Sequence, residues 1–309
     1  MPSTAAKNLD MQGFHIYGEI LSKDCIGDLF KKMTATRDFG PNLFLSKQEY
    51  SRQQNHFNTN PNAEFNFLNQ FSNELAVVEK DKRIDATLTE VLGQGYEVVI
   101  KKAVCGVPEF WLPAWVKEKI DNVNVANLGP YIKKEYRDIT YFRGIDFHQD
   151  IIDWPAGSTD LDPSTFLTLY VYLHDVDRYD SPLHILPGTH RYGSTLFPHK
   201  LKRHEENTWS YKDDCGKCLD AIDTTLTGGP GFVGLWHNCL LHGTQPVKHE
   251  SEKFRLSLRY LLAKSNTNNE QTAIDNINKN IDGTLRPIRT RRDLDKLGKA
   301  KIKGNIINK

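Results

Sequence analysis

The stretch Thr165-Phe166-Leu167-Thr168-Leu169-Tyr170-Val171-Tyr172-Leu173 decides the fold. It is dense in β-branched and aromatic residues, the composition of a strand half or wholly inside a sheet. The segments around it read the same way. Tyr136 to Arg143 alternates, Leu183 to Leu186 is short and stopped by Pro187-Gly188, and Gly231 to Leu235 and Phe254 to Leu262 complete a set. Turn signals separate them, at Asp180-Ser181-Pro182 and Gly228-Gly229-Pro230. Short strands punctuated by turns point to a sandwich or jelly roll, not to a parallel α/β sheet.

The N-terminal half is more helical. Gly13 to Tyr17 is a candidate strand, and Ser22 is placed to cap a helix whose apolar positions Ile26, Leu29, Phe30 and Met33 share one face. Ile84, Leu88, Val91 and Leu92 predict a second helix, ended by Gly93. Glu97 to Ile100 is a candidate strand, and Gln53 to Asn69 a polar loop. Between Cys105 and Pro130 two prolines interrupt a cluster of Phe110, Trp111 and Trp115. Such a segment is either a packed irregular wall or a lid over a substrate pocket.

The expected architecture is therefore mainly β with flanking helices, in a single domain over 1–309. Its barrel core is expected at about 130–265, helical support and a possible lid at about 13–130, and a basic tail at about 266–309. From Arg286 onward nine Lys or Arg stand against two Asp. That tail has no aromatic residues to stack on bases, so no nucleic-acid partner is expected.

Bulk composition narrows the classes. Hydrophobic content of 39% and charged content of 26% are globular values. A net charge of +1 provides no field to select nucleic acid or a membrane surface. No apolar run approaches the roughly 18 residues of a membrane span, and Met1 to Asp10 lacks the apolar core of a secretory signal. Five cysteines, an odd and scattered set, suit a reducing, cytoplasmic setting. Cys215-Gly216-Lys217-Cys218 is one C-x-x-C without a second pair, a weak zinc signal.

The chemistry is carried by His148-Gln149-Asp150 and the distant His242. On an extended strand residues i and i+2 face the same side, so an imidazole and a carboxylate can reach one ion. A second imidazole completes a two-His-one-carboxylate set, which suits Fe(II) and leaves one face of the metal open. Among the 11 histidines, His237 is the nearest competitor to His242. Arg255 alternates with Phe254 and Leu256. If it points inward with Ser257 and Arg259, its guanidinium can clamp a carboxylate, with Arg259 as the spare candidate.

Three ordered blocks resemble the phytanoyl-CoA dioxygenase-like (PhyH-type) Fe(II)/2-oxoglutarate oxygenases. They are Phe147 to Asp150 with Trp154; Leu167 to Asp175 with Pro182 to His190; and Gly231 to Trp236 with His242-Gly243-Thr244 and Arg255. The resemblance implies a double-stranded β-helix, the cupin-like jelly roll. It implies His148, Asp150 and His242 as iron ligands, and Arg255 helped by Thr244 at the far carboxylate of 2-oxoglutarate, with O2 as the oxidant. Tyr141 is a further candidate for cosubstrate contact. Trp154, Thr168, Tyr170, Trp111 and Trp115 are candidates for the substrate pocket.

The spacing from His242 to Arg255 resembles that of the chlorinases in this superfamily, but those replace the Asp that is retained here as Asp150. Ser181 stands where the family usually has Gly. The implied activity is hydroxylation of a small-molecule metabolite, free or carrier- or CoA-bound, with 2-oxoglutarate converted to succinate and CO2. Oxidative cyclisation or desaturation by the same iron chemistry is the alternative, and a non-catalytic metal-binding cupin the more remote one.

Overall fold

The computed structural model describes residues 2–53, 67–121, 123–150, 166–195, 199–205, 207–213, 216–244, 252–265, 270–283, 302–303 and 306–308. Among the described residues, thirteen strands run up to residue 263: β1 (Phe14–Glu19), β2 (Glu97–Gly106), β3 (Val123–Asn127), β4 (Thr140–Ile145), β5 (Phe166–Tyr172), β6 (Leu183–Ile185), β7 (Lys200–Arg203), β8 (Thr208–Lys212), β9 (Cys218–Ile222), β10 (Thr224–Leu226), β11 (Phe232–His237), β12 (His242–Thr244) and β13 (Arg255–Ala263). The main sheet has the order β1-β11-β5-β13-β2-β4-β3, continued by two short C-terminal strands. A smaller sheet, β10-β6-β12, faces it, and β7-β8-β9 form a separate meander. The result is the jelly roll expected from the strand pattern.

The decisive stretch becomes β5, at the centre of the main sheet and buried along its whole length. Its two faces do different work. Leu167, Leu169 and Val171 enter the larger core beneath the helices, together with Leu256, Leu258 and Tyr260 of β13. Thr168, Tyr170 and Tyr172 face the barrel interior. There they lie opposite Leu261, Arg259 and Ser257 of β13 in antiparallel register. Directly opposed residues share a face, so β13 presents Arg255, Ser257 and Arg259 to the same interior. Tyr170, Tyr172, Phe232 and Trp236 close that interior against Leu183, Ile185 and Leu226 of the small sheet.

Helices cover the outer face. They are α1 (Thr4–Gln12), α2 (Lys23–Thr36), α3 (Lys47–Arg52), α4 (Ser72–Glu79), α5 (Lys82–Leu92), α6 (Ala114–Ile120) and α7 (Ala273–Lys279). The Ser22 hydroxyl caps α2 by accepting from Cys25 N, and Ile26, Leu29 and Met33 are fully buried. Asp81 caps α5, whose Ile84, Leu88, Val91 and Leu92 fill the same core, and Gly93 ends it at φ 92°. Each such side chain contributes about 1.5–3 kcal/mol by area, and truncation of one to Ala costs about 2–5 kcal/mol.

The barrel is not confined to about 130–265, because β1 and the ten-residue β2 supply strands to the main sheet from earlier in the chain. Edge pairing explains this. β13 needs a partner on the side away from β5, and β2 provides it from Glu97 to Gly106. The aromatic segment after it is packed: Trp111 lies 5.4 Å from Phe254, and Trp115 5.0 Å from Tyr50 and 5.6 Å from Tyr131. The polar loop expected at 53–69 and most of the basic tail lie outside the described residues.

Candidate metal centre

His148 and Asp150 are not on a strand, as the two-residue spacing suggested. β4 ends at Ile145, and His148 forms an isolated bridge with His242. The two histidines exchange both backbone hydrogen bonds, His148 N to His242 O at 2.8 Å and His242 N to His148 O at 3.0 Å. That antiparallel pair brings the ring centroids to 4.4 Å. Each imidazole Nδ1 meets a backbone carbonyl two residues back, Asp146 O for His148 and Leu240 O for His242, both at 3.0 Å. With Nδ1 donating, each Nε2 is left as a lone-pair ligand, and the outer hydrogen bond fixes the tautomer.

The ligand atoms of His148, Asp150 and His242 all lie within 4.8 Å of one another, and all three residues are buried. Burial, reinforced by the neighbouring His242, pushes the His148 imidazole down to about 3, so it stays neutral. Burial on its own would raise the Asp150 carboxyl. Arg259 and the imidazoles outweigh it and hold the group well below the usual carboxylate range. Two imidazole nitrogens and one carboxylate within reach of a common point fit a borderline divalent ion such as Fe(II).

Asp150 is held at both oxygens. Thr168 Oγ1 donates to Oδ2 at 2.5 Å, and Arg259 lies 2.7 Å from Oδ1, the oxygen 3.5 Å from His242 Nε2. Thr168, expected in the substrate pocket, is thus a support of the metal-facing carboxylate. Gln149 points away, as the spacing predicts, and is not idle. Its amide donates to Gly193 O at 2.7 Å and Cys239 O at 2.6 Å and accepts from Thr195 N at 3.0 Å. It ties the ligand loop to two others. No spacing rule pointed to that role, because Gln149 acts through distant backbone.

Arg255 is 1% exposed. One terminal nitrogen donates to Ser181 O, while Nε and the other nitrogen have no partner among the described residues. Its guanidinium lies 5.5 Å from the Phe142 ring. The Ser257 hydroxyl, on the same interior face, is likewise buried without a partner. Thr244, two residues after His242 on β12, is buried and accepts from Ile145 N at 3.0 Å.

Tyr141 belongs to the outer core with Cys105 and does not face Arg255; the adjacent Phe142 does. Strand alternation separates the two. Tyr170 lies 5.7 Å from Trp236, which lies 5.1 Å from His242, so both wall the interior. Trp111 and Trp115 sit in the aromatic wall before β13 and not at the ligands. Trp154 and Cys215 lie outside the described residues. His237 turns away from the cluster, meeting Asn278 Oδ1 at 3.0 Å.

The sequence model of the phytanoyl-CoA dioxygenase (PhyH) family matches residues 132–256. Residues 132–256 of this chain are thus a PhyH-like region. The matched span holds His148, Asp150, His242 and Arg255 of this PhyH-like chain, and it stops before Arg259. No curated protein matches the sequence.

Among solved structures, the non-haem α-ketoglutarate-dependent epimerase SnoN from nogalamycin biosynthesis is 12% identical, with a TM-score of 0.50 over 84% of this chain and 81% of that one. SnoN in complex with Fe3+, α-ketoglutarate and a nogalamycin compound gives 11%, a TM-score of 0.50, and 84% and 82%. EctD from S. alaskensis with bound Fe is 14% identical, with a TM-score of 0.49 over 95% and 84%. At these identities the likeness to SnoN is one of fold.

Proposed function

We propose that this PhyH-like chain hydroxylates a C–H bond of a small-molecule metabolite, with His148, Asp150 and His242 holding Fe(II) and Arg255 holding 2-oxoglutarate. With its PhyH-like region over residues 132–256, it is an Fe(II)/2-oxoglutarate-dependent oxygenase. The observation that carries the residue assignment is the pairing of a three-ligand cluster with a buried arginine whose Nε and one terminal nitrogen are unspent among the described residues. A buried cation with two of its three nitrogens unpaired among the described residues is costly, and those N–H groups match a carboxylate. The Ser257 hydroxyl, two residues along the same face, is placed to add a third donor.

When bound here, iron supplies O2 activation coupled to decarboxylation of 2-oxoglutarate, so that R–H becomes R–OH while succinate and CO2 leave. The protein's share is position and exclusion. The two imidazoles keep their lone pairs because Nδ1 is committed to backbone. Thr168 holds Asp150 in register. Tyr170 and Trp236 line the interior with buried aromatic surface, keeping water from the reacting centre.

Cys25, Cys105, Cys218 and Cys239 are free thiols, which supports a cytoplasmic setting. No helix of the described residues is long and apolar enough to cross a membrane.

The test is succinate release by anaerobically prepared protein given Fe(II), 2-oxoglutarate and air, with and without a metabolite extract. Extract-stimulated succinate that disappears in Arg255→Gln supports the reading, and the consumed metabolite names the substrate. Supplying that metabolite as free acid and as CoA thioester tests the finer proposal of a carrier-bound substrate. Tight iron and 2-oxoglutarate binding with no succinate under any extract favours a non-catalytic binder instead.

A further inference from the structure

The chemistry above uses one arginine of β13, yet the interior face carries two. Arg259 follows Arg255 and Ser257 at alternate positions, opposite Tyr170 of β5. Its guanidinium rests 2.7 Å from Asp150 Oδ1. That oxygen is the one facing His242 Nε2 at 3.5 Å, while Oδ2 is already taken by Thr168. A metal ion in the cluster and Arg259 therefore compete for a single carboxylate oxygen. Two like charges on one ligand atom repel, so metal entry frees the guanidinium beside the metal.

A charge count says what it then meets. A divalent ion, Asp150, Arg255 and Arg259 sum to +3 with neutral imidazoles, and 2-oxoglutarate brings this to +1. A residual positive charge in a largely buried site is stabilised by an anion.

We propose that Arg259 anchors an anionic group of the substrate, a carboxylate, phosphate or sulfonate, next to the metal. This assignment rests on the iron and 2-oxoglutarate reading above. It narrows the substrate class to metabolites carrying an anionic group within a few bonds of the oxidised carbon.

The probe is methanesulfonate, a fork-accepting anion that ligates metals weakly, against dimethyl sulfone, its neutral analogue. Calorimetry follows each into protein loaded with redox-inert Zn(II) and 2-oxoglutarate. Wild type should prefer the anion by about ten- to a hundredfold, the worth of a charge-assisted hydrogen-bonded pair. Arg259→Gln should abolish the preference, and Arg259→Lys should keep part of it, having charge but no fork. Zn(II) affinity should hold or rise in Arg259→Gln, because its competitor at Oδ1 is gone.

A wild type without anion preference, or an Arg259→Gln variant that keeps it, overturns the inference. Loss of 2-oxoglutarate affinity in Arg259→Gln with the probe unaffected overturns it too, assigning Arg259 to the cosubstrate. Failure of the iron reading is seen separately, before any probe is added, as a wild type that takes up no Zn(II) or 2-oxoglutarate.

Discussion

Replacing Thr168 with Val removes one oxygen and keeps the shape. The lost bond is 2.5 Å long, from a buried hydroxyl to a buried carboxylate. A hydrogen bond to a charged group contributes about 1.5–3 kcal/mol net, and the partner left behind loses it in full. Metal-free Thr168→Val should therefore unfold about 1.5–3 kcal/mol more easily in urea. The effect on metal follows from rotation. With Oδ2 released, Asp150 can turn both oxygens to the Arg259 fork already 2.7 Å from Oδ1. That arrangement withdraws the carboxylate from His242, and Fe(II) affinity should fall roughly ten- to a hundredfold. An anaerobic Fe(II) titration against a competing chelator measures it, with Thr168→Ser as the variant that restores the hydroxyl. Wild-type affinity in Thr168→Val, or no recovery in Thr168→Ser, would refute the reasoning.

Three further outcomes are expected. A Cβ on Gly243 would lie 2.6 Å from Ile145 O and 2.9 Å from the Asp146 carbonyl, the acceptor for His148; Gly243→Ala should cost about 1–3 kcal/mol and weaken iron binding, and a variant matching wild type in urea and chelator titrations contradicts this. Ser181 is held at φ 52° immediately before Pro182. Left-handed backbone costs an L-residue about 1–2 kcal/mol, and the entropy of a glycine offsets about 0.5–1 of that, so Ser181→Gly should be modestly more stable by urea unfolding; a clear loss of stability would show that the turn is not strained. Burial first, and a second histidine for His148 and His190, pushes the imidazoles of His148, His190 and His199 down to about 3. In the unfolded chain they take up protons near pH 6.5, so the stability of the metal-free protein should be full above that pH and fall as pH drops toward 3, by about 1.4 kcal/mol per pH unit per group. A flat urea midpoint between pH 7 and 4.5 would contradict it.

Periodicity carried the strands and two helices because their apolar positions repeat at 2 or 3.6 residues. β5, α2 and α5 need no partner to be recognised. β2 was seen only at its first residues, Glu97 to Ile100, because the rest reads as an irregular run of Lys, Ala and Cys until β13 lies beside it. α1 was missed although Ser3 caps it and Gly13 ends it at φ 84°, because its apolar stripe is thin. The meander β7-β8-β9 had its signal in Thr208-Trp209-Ser210-Tyr211-Lys212, whose alternation buries Trp209 and Tyr211.

The ligands and Arg255 were legible because their chemistry is rare and ordered along the chain. Their supports were not. Thr168 and Arg259 reach Asp150 only through the β5–β13 register, and Gln149 reaches Gly193 and Cys239 only through tertiary closure. Sequence points to Tyr141 without saying which face of β4 turns inward; the parallel pairing with β2 places Phe142 at Arg255 instead.

The most direct test of the account is an anaerobic titration of 2-oxoglutarate into Fe(II)-loaded protein, followed by the visible charge-transfer absorption that arises when the 2-oxo acid chelates iron. A saturable band in wild type, shifted to far higher 2-oxoglutarate in Arg255→Gln and absent in Asp150→Ala, is the predicted result. Stoichiometric iron without a band, or a band indifferent to both substitutions, would contradict the assignment of His148, Asp150, His242 and Arg255.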